Sequence, residues 1–234
     1  MDKIAIIVAA GSGTRMGSDI PKQFLPLKGK AVILHTIEAF IKAVPGIQIR
    51  LVLPPSMVAY GQSLIEGMPY QGQVTLINGG NSRFSSVASG LASVPENSLV
   101  AIHDGVRCLI TPALINRCFE AAQAFGSAIP VTPVTDSLRE VSVEDNHPTG
   151  AVSKALDRVN IRLVQTPQTF KTSLIQAAFS QQEQPGFTDE ASVAEAAGKQ
   201  VHLVEGDPEN IKITRPVDLI LAAAILDQRT AQDK

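Results

Sequence analysis

The chain has 234 residues, enough for one α/β domain, and its 44% hydrophobic and 18% charged content excludes a disordered chain. A formal net charge of −2 excludes a global basic field for nucleic acid, so any phosphate site has to come from local clusters. The two cysteines, Cys108 and Cys118, make neither a disulfide framework nor a CxxC pair and read as reduced, partly buried thiols.

The first apolar run, Lys3–Ala9, reads as a strand. It meets Gly11, Gly13 and Arg15 too soon for a secretion signal, and no apolar stretch reaches the length of a membrane span. The expectation is a soluble, cytoplasmic protein. Further strand candidates are Ile47–Leu53, Gln73–Ile77, Leu99–His103, Ser127–Val131 and Gln200–Val204, several of them almost continuously apolar, as strands covered on both faces are. Between them lie amphipathic helix candidates: Val32–Ala43, Met57–Glu66, Ser82–Ala92, Pro112–Ala124, Thr172–Ser180, Asp189–Ala197 and Pro216–Arg229. This alternation predicts a three-layer α/β sandwich around a mostly parallel, Rossmann-like sheet. Pro133–Gln168 breaks it. That stretch is polar, weakly periodic and too long for an idle loop, so it reads as a protruding β-arm or lid.

The chemistry begins after the first strand, with Ala9-Ala10-Gly11-Ser12-Gly13-Thr14-Arg15-Met16. Glycines in such a turn let backbone N–H groups approach a phosphate. The segment is not a P-loop, which needs a Lys-Ser/Thr pair, and Gly17 falls one position late for a dinucleotide fingerprint. Pro21-Lys22-Gln23-Phe24 follows, so Arg15 and Lys22 put two cations on one connection beside the glycines. Such a cradle neutralises a triphosphate and matches the charge that grows on a pentavalent phosphorus. Asp104 ends an apolar strand, where ligands gather in open α/β sheets, and suits a magnesium ion shared with phosphates; a helix or turn cap is the plainer reading. His103 reads as a holder of its loop, and Thr188-Asp189-Glu190 as a helix start.

Together these segments resemble a known family. The loop and PKQF are similar to the signature of nucleotide-sugar-type nucleotidyltransferases. Gly79-Gly80-Asn81-Ser82-Arg83-Phe84-Ser85-Ser86-Val87, His103-Asp104-Gly105-Val106-Arg107, Asp157-Arg158, Thr166-Pro167-Gln168, Thr188–Ser192 and Asn210–Pro216 narrow it to the 2-C-methyl-D-erythritol 4-phosphate cytidylyltransferase family, in order along nearly the whole chain. The resemblance implies a single nucleotidyltransferase domain over 1–234 with a dimerisation and substrate arm at about 133–168. It implies that Ala9, Ala10, Gly11 and Gly13 line the CTP site with Arg15 and Lys22 on the triphosphate, and that Gly80, Asn81 and Ser86 read the cytosine. Gly105 would contact the ribose and Asp104 would serve Mg²⁺. Arg107, Ser137, Arg158, Thr166 and Lys212 would hold the polyol phosphate, Arg158 and Thr166 reaching in from the second subunit of a homodimer. Arg15, Lys22 and Lys212 would be the catalytic cations.

Three positions depart from the family pattern: Asn81 for an aspartate, Cys108 for a proline, and Ser137 for a threonine. The amide of Asn81 can donate as well as accept, which loosens base selectivity. A ribitol 5-phosphate cytidylyltransferase and a non-catalytic nucleotide-binding module are the competing readings.

Overall fold

The computed structural model describes residues 1–11, 20–141 and 152–232. Its central sheet is built from β1 (Asp2–Val8), β4 (Gln48–Leu53), β5 (Val74–Asn78), β6 (Ser98–Asp104), β7 (Ser127–Pro133), β10 (Arg162–Val164), β11 (Gln168–Lys171) and β12 (Leu203–Glu205). β1 pairs in parallel with β4 and β6, β4 with β5, and β7 with β12. Only β10 and β11 run antiparallel, β10 along β7 and β11 between β7 and β6. The mostly parallel three-layer sandwich expected from the sequence is therefore present.

Alternation along β1 shows why the strands need cover on both sides. Ala5 and Ile7 face one core with Ile33, Ile37 and Phe40, while Ile4 and Ile6 face a second core with Val87, Leu91 and Ile175. The first core is covered by α1 (Val32–Ala43), α2 (Val58–Ile65) and α4 (Pro112–Phe125), the second by α3 (Arg83–Leu91), α5 (Thr172–Ala178) and α6 (Glu190–Ala196). Caps set the helix ends. The Thr111 hydroxyl accepts from the Leu114 N–H and Pro112 opens α4, which stops at Gly126 in the left-handed region (φ 93°). Ser82 with Ser85 and Asp189 with Ser192 form reciprocal capping boxes at α3 and α6. α7 (Pro216–Gln232) packs on a small third core around Val32, Leu109 and Ile213.

The polar excursion contains a two-stranded antiparallel ribbon, β8 (Leu138–Val141) with β9 (Ser153–Leu156). By Arg162 the chain is back on the main sheet as β10, so the excursion is shorter at its far end than the expected Gln168. The remaining strands, β2 (Pro26–Leu27) and β3 (Lys30–Ala31), form a small hairpin before α1. Among the described residues no helix is long and apolar enough to cross a membrane.

Candidate active site

From β1 the chain moves outward through α1 to β4 and β5, then α3 carries it back across β1 to β6. The carboxyl ends of β1 and β6 thus part company, and this switch point is where an open α/β sheet offers a crevice. A cavity of about 550 Å³ lies there. Ala9, Ala10 and Gly11 line it from the loop after β1, Lys22 and Gln23 from the PKQF turn, Gly80–Arg83 and Ser86 from the start of α3, Asp104 from the end of β6, and Lys212 from the segment before α7.

Two buried side chains hold the glycine-rich segments. Gln23 is 1% exposed, and its amide donates to the carbonyls of Ala9 at 2.8 Å and Gly11 at 3.3 Å, so the first residues of the loop are clamped from beneath. Ser86, equally buried, accepts from the Gly80 N–H at 3.1 Å and donates to the Ser82 carbonyl at 2.7 Å. Its hydroxyl is therefore occupied in shaping the 79–82 turn. Asn81 is exposed at the cavity rim. A Cβ at Gly79 would stand 2.6 Å from the Ala10 Cβ, so glycine there is what lets the two loops meet.

Asp104 is the electrostatic centre. Arg83 lies 3.2 Å from its Oδ1, and Lys212 at 2.9 Å and Arg107 at 3.4 Å lie on its Oδ2. Burial alone would raise its pKa, but these three cations hold the carboxyl well below the usual range. With Lys22, Arg83 and Lys212 on the walls and one carboxylate among them, the described cavity favours a polyanion. Lys22 donates to the Ile213 carbonyl at 3.0 Å, which ties the PKQF turn to the Lys212 segment. That segment is fixed in turn by Asp218, which accepts from the Thr214 and Arg215 N–H groups.

His103 is wholly buried behind Asp104. The Thr166 hydroxyl accepts from the Asp104 N–H and faces His103 Nδ1 at 3.0 Å, while Nε2 faces the Arg107 carbonyl at 3.2 Å. The Arg107 carbonyl can only accept, so Nε2 carries the proton and donates to it, which leaves Nδ1 of the neutral ring to accept from the Thr166 hydroxyl. Burial lowers the imidazole pKa to about 4, leaving it neutral and structural, as expected from the sequence.

Thr166, Arg107, Ser137, Arg158 and Gly105 are not on the described cavity wall. Thr166 is 4% exposed and its hydroxyl is engaged inside its own chain, where the turn between β10 and β11 carries it inward. Arg107 points its guanidinium at Asp104 and at the Asn210 carbonyl, 2.8 Å away. Ser137 and Arg158 are exposed on the arm, where Arg158 bonds the Thr135 carbonyl. Gly13 and Arg15 lie outside the described residues. Gly105 lies beneath the cavity rather than on its wall, since its N–H bonds Val8 and its carbonyl accepts from Thr36. A Cβ there would stand 2.7 Å from Ile33 Cδ1 and 3.0 Å from the Ala9 Cβ. Gly105→Ala is expected to cost about 1–3 kcal/mol of overpacking, read as a lower midpoint in urea unfolding; an unchanged midpoint would show that the ribose side, not packing, dictates this glycine.

Two residues with no role legible in the sequence, Arg83 and Glu190, join the Asp104 network. Arg83 joins Asp104 to Glu190, and Glu190 is 1% exposed. The helix-start reading of Thr188–Glu190 was right about Asp189, the N-cap, and silent about Glu190, because its partner is 107 residues away.

A family profile described as 2-C-methyl-D-erythritol 4-phosphate cytidylyltransferase (IspD) matches residues 3–228. The chain is 46% identical over 226 residues to the 2-C-methyl-D-erythritol 4-phosphate cytidylyltransferase of Bacteroides thetaiotaomicron, covering 97% of this chain and 100% of the relative. It is 41% identical to the protein of that name from Acidobacterium capsulatum, over 99% of this chain and 100% of the relative. The crystal structure of the Thermus thermophilus cytidylyltransferase superposes with a TM-score of 0.74 at 33% identity, over 96% of this chain and 98% of that one.

Proposed function

The chain belongs to the 2-C-methyl-D-erythritol 4-phosphate cytidylyltransferase family, and from that premise we propose how its own residues carry the reaction. The reaction joins CTP to 2-C-methyl-D-erythritol 4-phosphate, giving 4-diphosphocytidyl-2-C-methyl-D-erythritol and pyrophosphate, a step of isoprenoid precursor biosynthesis. The observation that carries the mechanism is the cationic wall of Lys22, Arg83 and Lys212 around one carboxylate at the switch point. The triphosphate lies over the 9–11 backbone against Lys22 and Arg15, and the cytosine sits at Gly80 and Asn81. Lys212 faces the polyol phosphate, with Arg107 beside it on Asp104. Its oxygen, already anionic at pH 7, attacks the α-phosphorus in line as pyrophosphate leaves. No general base is needed, and catalysis is positioning plus charge stabilisation.

Asp104 is the only carboxylate on the described cavity wall, and no cluster of three potential metal ligands occurs among the described residues. That donor set fits Mg²⁺ carried mainly by the triphosphate and touched by one carboxylate, and does not fit an ion caged by protein. When bound, the ion neutralises phosphate charge. The proposed setting is cytoplasmic, with which the two free cysteines, Cys108 and Cys118, agree.

A homodimer with shared sites is the proposed assembly. The arm exposes Val152 at 84% and Val159 at 69%, apolar surface that a second arm would cover. Arg158 then serves the neighbour's site, whereas Thr166 serves its own.

The test is selectivity. The wild type is expected to prefer CTP to UTP and methylerythritol phosphate to ribitol 5-phosphate in kcat/KM, and Asn81→Asp to widen the CTP margin by about tenfold, because a carboxylate can only accept from the cytosine amine. Equal CTP-to-UTP ratios in both proteins would show that this side chain reads nothing. A ribitol 5-phosphate preference would move the polyol assignment to the competing family.

A further inference from the structure

We propose that Glu190 is a positioning residue for cytidylyl transfer, acting through Arg83 on Asp104. This rests on the reaction given above but concerns a residue that never reaches the cavity.

Glu190 is the first residue of α6, directly after the Asp189 cap, and its carboxylate is 1% exposed. A buried carboxylate is costly unless it is paired with good geometry. Its partner is Arg83: Nη1 bonds Oε1, and Nη2 lies 3.2 Å from Oε2. Two parallel bonds fix a guanidinium plane as one bond cannot. The same Nη2 lies 3.2 Å from Asp104 Oδ1, so the orientation set by Glu190 passes on to the carboxylate at the centre of the site. Burial raises the Glu190 carboxyl above the usual carboxylate range, and the neighbouring Arg83 charge opposes that rise.

A second tie converges on the same atoms. Gln168 clips the start of α6 to β11, donating to Asp189 at 2.8 Å and accepting from the Ala191 N–H at 2.7 Å. Two residues earlier, Thr166 accepts the Asp104 N–H. The α6 N-terminus therefore fixes the Asp104 backbone through β11 and its side chain through Arg83. Arg83 lines the cavity with a side chain 29% exposed. Released from Glu190, its guanidinium can turn onto the triphosphate or fully onto Asp104, and either shift misplaces charge at the reacting phosphorus.

The experiment measures turnover per CTP-binding site, with bound CTP counted by equilibrium titration. Glu190→Gln keeps shape and removes charge. It is expected to lower kcat by about tenfold to a hundredfold, the scale of a small misplacement, while KM for CTP changes less than about threefold. Arg83→Lys, which keeps the charge and loses the two-bond grip, should show the same loss, and adding Glu190→Gln to it should cost nothing further. If Glu190→Gln fails to fold, the double variant Glu190→Gln/Arg83→Gln, which buries no lone charge, carries the test with the same expected kcat loss. A fully active wild type with Glu190→Gln, or the foldable double variant, within about twofold of it per site would overturn the proposal. A merely structural pair would lower the melting temperature and the number of CTP sites without lowering kcat per site, and that result overturns it too. A wild type that makes no cytidylylated product would instead refute the reaction itself.

Discussion

Lys22→Met is expected to lower kcat by about a hundredfold to a thousandfold, the usual cost of losing one preorganised donor at a developing oxyanion, with KM for CTP rising less than about tenfold. Lys22 lines the cavity beside the Gly-rich loop and donates to the Ile213 carbonyl, one residue from Lys212. That bond fixes where the ammonium sits before CTP arrives. Methionine keeps much of the stem and removes the charge, so packing changes little. Ground-state phosphates can find other cations, such as Arg83 and Lys212, on the same wall. A pentavalent phosphorus cannot recruit a new group without reorganisation, so the loss falls on kcat. Steady-state kinetics with both substrates decides it: a normal kcat with only KM for CTP raised would assign Lys22 to ground-state binding.

Arg158→Ala is expected to be almost as damaging, and its loss should be repairable in trans. Arg158 is exposed, bonded to the Thr135 carbonyl and absent from the cavity of its own chain. In the proposed homodimer such a residue acts by entering the other subunit's site. Random reassociation of Arg158→Ala with Lys22→Met subunits gives about half heterodimers by twofold mixing statistics, each holding one intact site and one doubly damaged site. Activity should recover to roughly a quarter of wild type per subunit. Verified exchange without recovery would mean that Arg158 acts within its own chain.

Local patterns were the most legible part of the sequence. The expected Val32–Ala43 helix matches α1 because Ile33, Ile37 and Phe40 repeat on one face, and β1, β4 and β6 lie within one residue of their expected ends because each is mostly apolar. β11 was not found. Its four residues, Gln168–Lys171, alternate too briefly and run straight into α5, and only pairing with β6 and β7 makes them a strand. The site's contact residues were visible through their motifs, whereas its supports were not. Gln23 beneath the Gly-rich loop, Glu190 behind Arg83 and Thr166 beneath Asp104 all act across the chain. Sequence spacing carries no trace of such pairings. Gly105 has a packing constraint of the same kind, since a Cβ there would meet Ile33 and Ala9.

The proposed reaction is a direct transfer, in which the protein supplies charge and position but no covalent intermediate. Among the described residues the candidate nucleophiles support it. Cys108 and Cys118 are buried with thiols pushed up to about 12, and His103 is buried and neutral, both its ring nitrogens engaged. The most direct measurement is the stereochemical course at the α-phosphorus, using CTP made chiral there with a single sulfur substitution and reading the configuration of the product. One in-line displacement inverts it, and inversion is the result expected. Retention would require two displacements and a cytidylylated enzyme, and would contradict the account.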